Sequence, residues 1–212
     1  MILETVMLEN MMNSATTSRM PFVEALGVLV PLREDRIVVT TMGAAREWPK
    51  LSRHPLDFHY IPSAMGQAPA LGLGLALAKP AREVWVLNGD GGMLMNLGCL
   101  VTIVASGAKN ITLIVFDNGI YEVTGGQQTP AAVAERHASI DFAGFARAAG
   151  FASVHGFDRL GEWQRQAAEV LRSPGSRFIV LAVEPVGDDY HLEAPGPMAG
   201  RLAAFQTALR QL

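Results

Sequence analysis

The stretch VWVLNGDGGMLMNLG, residues 84–98, constrains the fold more than any other part of the chain. Val84 to Leu87 are β-branched, aromatic or aliphatic throughout, as in a strand covered on both faces. Gly89-Asp90-Gly91-Gly92 follows at once, and then a helical pattern. Glycines after a strand let the backbone turn sharply and approach a ligand closely. A helix starting near Gly92 aims free N–H groups at that ligand, which suits a phosphate. Asp90 would repel a bare phosphate, so the arrangement makes sense only with a cation between them.

A second stretch, ITLIVFDNGIYEVTGGQ at 111–127, repeats the design: a strand, then polar residues and glycines at its carboxyl end. One helix and a short loop separate the two strands, which predicts a β-α-β crossover with parallel neighbours. Both loops then emerge at one sheet edge, where open α/β sheets bind ligands. Adjacent strands lie about 4.8 Å apart, so Asp90 and Asn118 can share one ion. Their oxygens, a backbone carbonyl and phosphate oxygens form a shell of the kind Mg²⁺ or Ca²⁺ takes. The plainer reading has Asp90 capping a helix and Asp117-Asn118-Gly119 as a mere turn. Two such stretches on parallel neighbours favour the metal site.

Strands and helices alternate along the rest of the chain, as in a doubly wound, three-layer α/β/α domain with a mostly parallel sheet. Helices are expected from Pro21 to Leu32, Ala44 to Leu51, Gly66 to Ala78 and Met93 to Ser106. Later ones run from Ile140 to Ala149, Leu160 to Leu171 and Met198 to Leu212. Strands are expected at Arg36–Thr41, Glu83–Asn88, Ile111–Phe116, Ala152–Val154 and Arg177–Val183, with a short extended segment at His59–Pro62. Residues 1–20 read as an N-terminal arm and 21–212 as one domain, with a Pro/Gly/Asp linker at 185–197. No repeat or second core stands out among the 212 residues.

A formal net charge of −3 gives no sign of nucleic acid, and no basic run marks a membrane surface. No signal peptide is evident, and the apolar run from Ala68 to Ala78 is too short to span a bilayer. The single cysteine, Cys99, reads as a small buried hydrophobe, and a cytoplasmic setting fits.

Gly89-Asp90-Gly91, followed by Asn118 in Asp-Asn-Gly, resembles the signature of thiamine diphosphate-dependent enzymes, in their diphosphate-binding domain. SAMGQAPALGLGLALA, GDGGMLMNLGCLVTIVASGAKNITLIVFDNG and VTGGQQTP look like sulfopyruvate and phosphonopyruvate decarboxylases, and VVTTMGAAREW and VLAVEPVG are compatible with them. The resemblance implies that Asp90, Asn118 and the Ile120 carbonyl ligate Mg²⁺. It implies that Gly89, Gly91 and Gly92, with the N–H of Met93, hold the diphosphate; Tyr121, which follows the metal loop, could line the cofactor pocket. In PSAMG, the backbone of Ser63 and Met65 would face the aminopyrimidine, and the Met65 side chain would wedge between the cofactor rings. Ser63-Ala64-Met65-Gly66-Gln67 departs from an expected G-S-M-G-H, and Val123-Thr124 from an expected S-T.

The activating glutamate of these enzymes belongs to a pyrimidine-binding domain, for which the chain shows no candidate region. The expected function is therefore a thiamine diphosphate- and Mg²⁺-binding β-type subunit of a 2-oxo acid decarboxylase, inactive alone. It would act on a small 2-oxo acid as a homodimer or with a pyrimidine-domain subunit. The alternatives are a β subunit of an acetolactate synthase-like enzyme or 2-oxoacid oxidoreductase, or a non-catalytic thiamine diphosphate-binding protein. Clustered cysteines for an iron–sulfur centre are missing, and Leu94 stands where a dinucleotide-binding G-x-G-x-x-G needs its last glycine. Arg46, His54 and His59 could meet an anionic substrate tail, though a salt bridge serves Arg46 at least as well and a solvated or satisfied polar role suits the histidines better. Glu122 could line the pocket. His137, His155 and His191 have no companions suggesting zinc.

Overall fold

A computed structural model describes residues 19–130, 140–186 and 196–212. The six strands of its central sheet are β1 (Ile37–Thr40), β2 (Asp57–His59), β3 (Val84–Gly89), β4 (Ile111–Asp117), β7 (Ser153–Phe157) and β8 (Arg177–Ala182). They stand in the order β2-β1-β3-β4-β8-β7 and every pairing is parallel. β3 and β4 are hydrogen-bonded neighbours, with Gly89 opposite Phe116, so the crossover read from the two stretches is present. A small antiparallel hairpin, β5 (Ile120–Tyr121) with β6 (Gln127–Gln128), follows β4 and has no counterpart among the expected elements.

Helices cover both faces because successive strand residues point to opposite sides. Val84, Val86, Leu113 and Val115 pack under α3 (Ala68–Ala78), α5 (Gly98–Ala105), α6 (Phe142–Ala149) and α8 (Met198–Arg210). Trp85, Leu87, Ile114 and Phe116 pack under α1 (Phe22–Gly27), α2 (Met42–Leu51) and α7 (Leu160–Val170). The Trp163 indole N–H donates to the Ala25 carbonyl at 2.9 Å, tying α7 to α1. This is the three-layer α/β/α arrangement expected.

The helix expected over Met93–Ser106 is instead two pieces, α4 (Asp90–Leu94) and α5, separated by a turn. Asn96 and Gly98 are weak helix formers, and the Asn96 amide is engaged elsewhere, donating to the Gly66 carbonyl at 3.1 Å. The helix expected from Pro21 stops at Gly27 and resumes as one 3₁₀ turn, Val30–Leu32. Most of the expected arm lies outside the described residues. Its last two residues belong to the domain: Met20 is buried and bridges to Val183, and the Arg19 guanidinium donates to the Asp117 carbonyl at 2.6 Å.

The glycines of α3 make a testable contrast. A methyl group at Gly72 would run into Cγ2 of Val86, whereas one at Gly74 meets nothing within 4 Å. Gly72→Ala should therefore destabilise the fold by about 1–3 kcal/mol, the usual cost of overpacking a core. Gly74→Ala should be neutral or stabilise by up to ~1 kcal/mol through helix propensity. Urea unfolding of both variants checks this, and equal midpoints would contradict the packing described.

Candidate functional site

β1 lies between β2, which follows it on one side, and β3, which follows on the other. The chain reverses direction across the sheet there, and α2 and α3 leave on opposite faces. A crevice opens at the carboxyl ends of the strands at such a switch point. It holds a cleft of about 560 Å³, open mouth included, walled by the loops after β1, β3 and β4.

Asp90 sits at its floor, 2% exposed. Its Oδ2 accepts a hydrogen bond from the Gly119 N–H at 2.9 Å, joining the β3 and β4 loops. Burial, reinforced by the Asp117 charge, pushes the Asp90 carboxyl up to about 7. A raised carboxyl favours the fold below its unfolded value near 3.8, and that contribution fades as pH rises through about 7. Asp90→Asn should therefore stabilise the metal-free chain at pH 8 by up to a few kcal/mol, and progressively less as pH falls to 5. Thermal unfolding at the two pH values checks this, and an equal gain at both would rule out burial of charge as the cause.

Asn118 turns its Oδ1 toward the Ile120 N–H, 3.0 Å away. The turn geometry is thus present, and it stands beside the buried carboxylate. An amide oxygen has two lone pairs, so this bond leaves one for a cation. Gly91 and Gly92 form the inner wall at positions with no room for a side chain. A Cβ at Gly91 would lie 2.6 Å from the Tyr121 ring, and one at Gly92 would lie 2.9 Å from Asn88 Oδ1.

Of the nine positions expected at the site, Met65, Gly89, Asp90, Gly91, Gly92, Asn118, Ile120 and Tyr121 all line this one cleft; Ser63 does not. Met65 is 43% exposed and is followed by Gly66 at φ +80°, a conformation that favours glycine. Glu122 also lines the cleft, and its Oε1 accepts from the Val186 N–H at 3.0 Å.

Arg46, His54 and His59 lie outside the lining. His54 Nδ1 accepts from the Leu56 N–H at 3.1 Å, and His59 Nδ1 pairs with Thr40 Oγ1 at 2.9 Å. Burial lowers the pKa of both rings. His155 pairs with Ser153 on β7, while His137 and His191 lie outside the described residues. Cys99 is buried in α5, its thiol pushed up to about 11 by burial.

Sequence reasoning missed Thr41, Met42 and Gly43 after β1, together with Asn88 and Met95. Thr41 Oγ1 donates to Asn88 Oδ1 at 3.0 Å, fastening the β1 and β3 loops together. Met42 takes φ +48°, strained for a residue with a side chain, at the turn into α2. The run Thr-Thr-Met-Gly at the end of a buried strand was the signal available.

A buried carboxylate, a facing amide and two side-chain-free glycines at a switch point define a site for a phosphorylated ligand in an α/β domain. The sequence profile of the family described as thiamine pyrophosphate enzyme, C-terminal TPP binding domain, matches residues 36–181. The chain belongs to that family, and the domain it carries is the thiamine diphosphate-binding one. It is 35% identical to the phosphonopyruvate decarboxylase of Streptomyces viridochromogenes over 92% of its own length and 48% of that protein's. The chain thus spans about half the length of that relative. It is 36% identical to the sulfopyruvate decarboxylase subunit beta of Methanothermobacter thermautotrophicus, over 79% of this chain and 84% of that subunit. The fold matches the benzoylformate decarboxylase structure from Polynucleobacter necessarius with a TM-score of 0.61 and 20% identity, over 77% of this chain and 33% of that one.

Proposed function

We propose that the chain is the thiamine diphosphate- and Mg²⁺-holding subunit of a decarboxylase acting on a small 2-oxo acid, and that it works with a separate pyrimidine-domain subunit. The observation that carries this is the buried Asp90 beside the Asn118 turn, with the Gly91–Gly92 wall alongside. These residues fit the ligand: a Cβ at Gly89 would meet nothing within 4 Å, so the backbone there is open to a close approach, and the donor set is all oxygen. Among the described residues no three His, Cys, Asp or Glu side chains gather. A cation would instead take the Asp90 carboxylate, the Asn118 amide and the Ile120 carbonyl, which suits a hard ion such as Mg²⁺.

Backbone N–H groups of Gly89, Gly91, Gly92 and Met93 would hold the diphosphate. Tyr121 covers the glycine wall, and the segment from Ser63 to Met65 would meet the cofactor's aminopyrimidine half. When bound, thiamine diphosphate supplies the nucleophilic carbon and the electron sink that decarboxylation of a 2-oxo acid requires. The chain's own contribution is to bind, orient and shield. The match to a subunit named beta, covering 84% of that subunit, supports a two-chain enzyme. A homodimer within it, a cytoplasmic setting and an N-terminal arm ahead of Arg19 belong to the same proposal. Among the described residues no helix is long and apolar enough to cross a membrane.

The test is ¹⁴CO₂ release from 1-labelled pyruvate, sulfopyruvate and phosphonopyruvate by this chain mixed with a pyrimidine-domain chain from the same genome. Release that needs both chains and thiamine diphosphate is expected. A partner-containing mixture that binds the cofactor and decarboxylates none of the three would count against the assignment.

A further inference from the structure

Helix α8 lies outside the matched family region and lines no part of the cleft, yet it grips the segment that leads into it. Phe205 is buried and stacks on Phe58 of β2, with ring centroids 4.9 Å apart. One turn earlier on α8, the Arg201 guanidinium donates through Nη1 to the His59 carbonyl and through Nη2 to the Ile61 carbonyl. Its Nε donates to the Gly196 carbonyl at 3.2 Å, which aims the planar group at the segment. The chain leaves the sheet at this point: Tyr60 N–H still donates to the Thr40 carbonyl at 2.9 Å, and beyond it β2 has no further partner on β1.

The segment after Ile61 leads through a bend at Pro62 to Met65 and is tied at two more points. The Ala64 N–H donates to the Tyr60 hydroxyl at 3.3 Å, and the Asn96 amide donates to the Gly66 carbonyl at 3.1 Å. Three tethers thus bracket a short loop whose Met65 lines the cleft. Asn96 and Tyr60 are near in sequence or space to the cleft walls. Arg201 reaches the loop from the far end of the chain.

We propose that Arg201 is a positioning residue for the cofactor cleft: by taking the His59 and Ile61 carbonyls it fixes the loop that presents Met65. This rests on the proposed placement of the cofactor, with its diphosphate at Asp90 and its ring half at Met65. An arginine suits the task because two N–H groups in one rigid plane hold two carbonyls at a set spacing, which a lysine cannot do. A preset loop spares the ligand the cost of ordering it on binding. The effect should therefore appear only for ligands that reach Met65.

The experiment compares thiamine diphosphate with inorganic diphosphate, both with Mg²⁺, by calorimetric titration of the full chain. Arg201→Gln should weaken thiamine diphosphate binding by about tenfold and leave inorganic diphosphate unchanged. Arg201→Lys should recover only part of the loss. Met65→Ala should show the same selective loss, and the Arg201→Gln/Met65→Ala double variant should bind no worse than the weaker single, since one residue acts through the other. Amide exchange at Ala64 and Met65 should quicken in Arg201→Gln. If that variant fails to fold, Asn96→Ala frees the other end of the loop and should give the same selective loss.

An equal loss for both ligands, no loss for either, or additive effects with Met65→Ala would overturn the role given to Arg201. Failure of the wild-type chain to bind either ligand would overturn the placement of the cofactor, and the proposal with it. Diphosphate binding by the wild type therefore tests the site, and the change in ligand ratio tests Arg201.

Discussion

Thiamine diphosphate should bind this chain only in the presence of a divalent cation, and Asp90→Ala should cut that binding by at least ~10². The reason is charge. An ionised carboxylate about 4 Å from a phosphate oxygen repels it by ~4 kcal/mol at an effective dielectric of 20, and the Asp90 carboxyl, raised to about 7, escapes part of this by taking up a proton as pH falls. A cation between them turns that repulsion into attraction on both sides. The sign therefore reverses without metal: in chelator, Asp90→Ala should bind the diphosphate no worse than the wild type does. Asn118→Ala removes a neutral oxygen and should cost less than Asp90→Ala. Calorimetry with Mg²⁺ and with EDTA reads all of these. Wild-type affinity that is the same in both buffers would sink the metal bridge.

The second large effect is expected on pairing with a pyrimidine-domain subunit. The purified chain should bind the cofactor yet leave its C2 proton in slow exchange with solvent. The group that would raise the basicity of the aminopyrimidine is a glutamate expected on the partner. Mixing the two chains should speed exchange by ~10² to 10⁴, the range that positioned acid–base help supplies. Closure of the cleft mouth, where Met65 is 43% and Met95 46% exposed, would add to this by excluding water. Proton NMR in deuterated water, with and without the partner, measures the exchange directly. Rapid exchange by this chain alone would place the activating carboxylate within it and remove the need for a second subunit.

The strand and loop pairs at 84–92 and 111–121 were legible in the sequence for local reasons. An all-apolar strand followed by glycines and one acidic or amide residue is a short pattern. Its parts act on one another over a few bonds. The parallel pairing of β3 with β4 then follows from the single helix-containing connection between them. Met65 was placed at the cleft by the resemblance of PSAMG to the decarboxylases, with its position just before Gly66 in support. Ser63 fell outside the lining because the loop carries only one of these two residues into the cleft.

Other features were decided only in three dimensions. The order β2-β1-β3-β4-β8-β7 puts the end of β1 beside Asn88, and only that order brings Thr41, Met42 and Gly43 to the cleft. The positive φ at Met42 has no signature in a residue type that ordinarily avoids it. The break between α4 and α5 depends on Gly66 offering its carbonyl to Asn96 from another part of the chain. Arg201 reads in sequence as one more charge on a terminal helix, and its partners are main-chain carbonyls, which every residue has. Local patterning thus determined strands β1, β3, β4 and β8, the Asp90 and Asn118 loops and the glycine wall, because neighbours along the chain set them. Tertiary packing decided which loops share the cleft and what holds Met65 in it, because contacts between distant segments leave no period in the sequence.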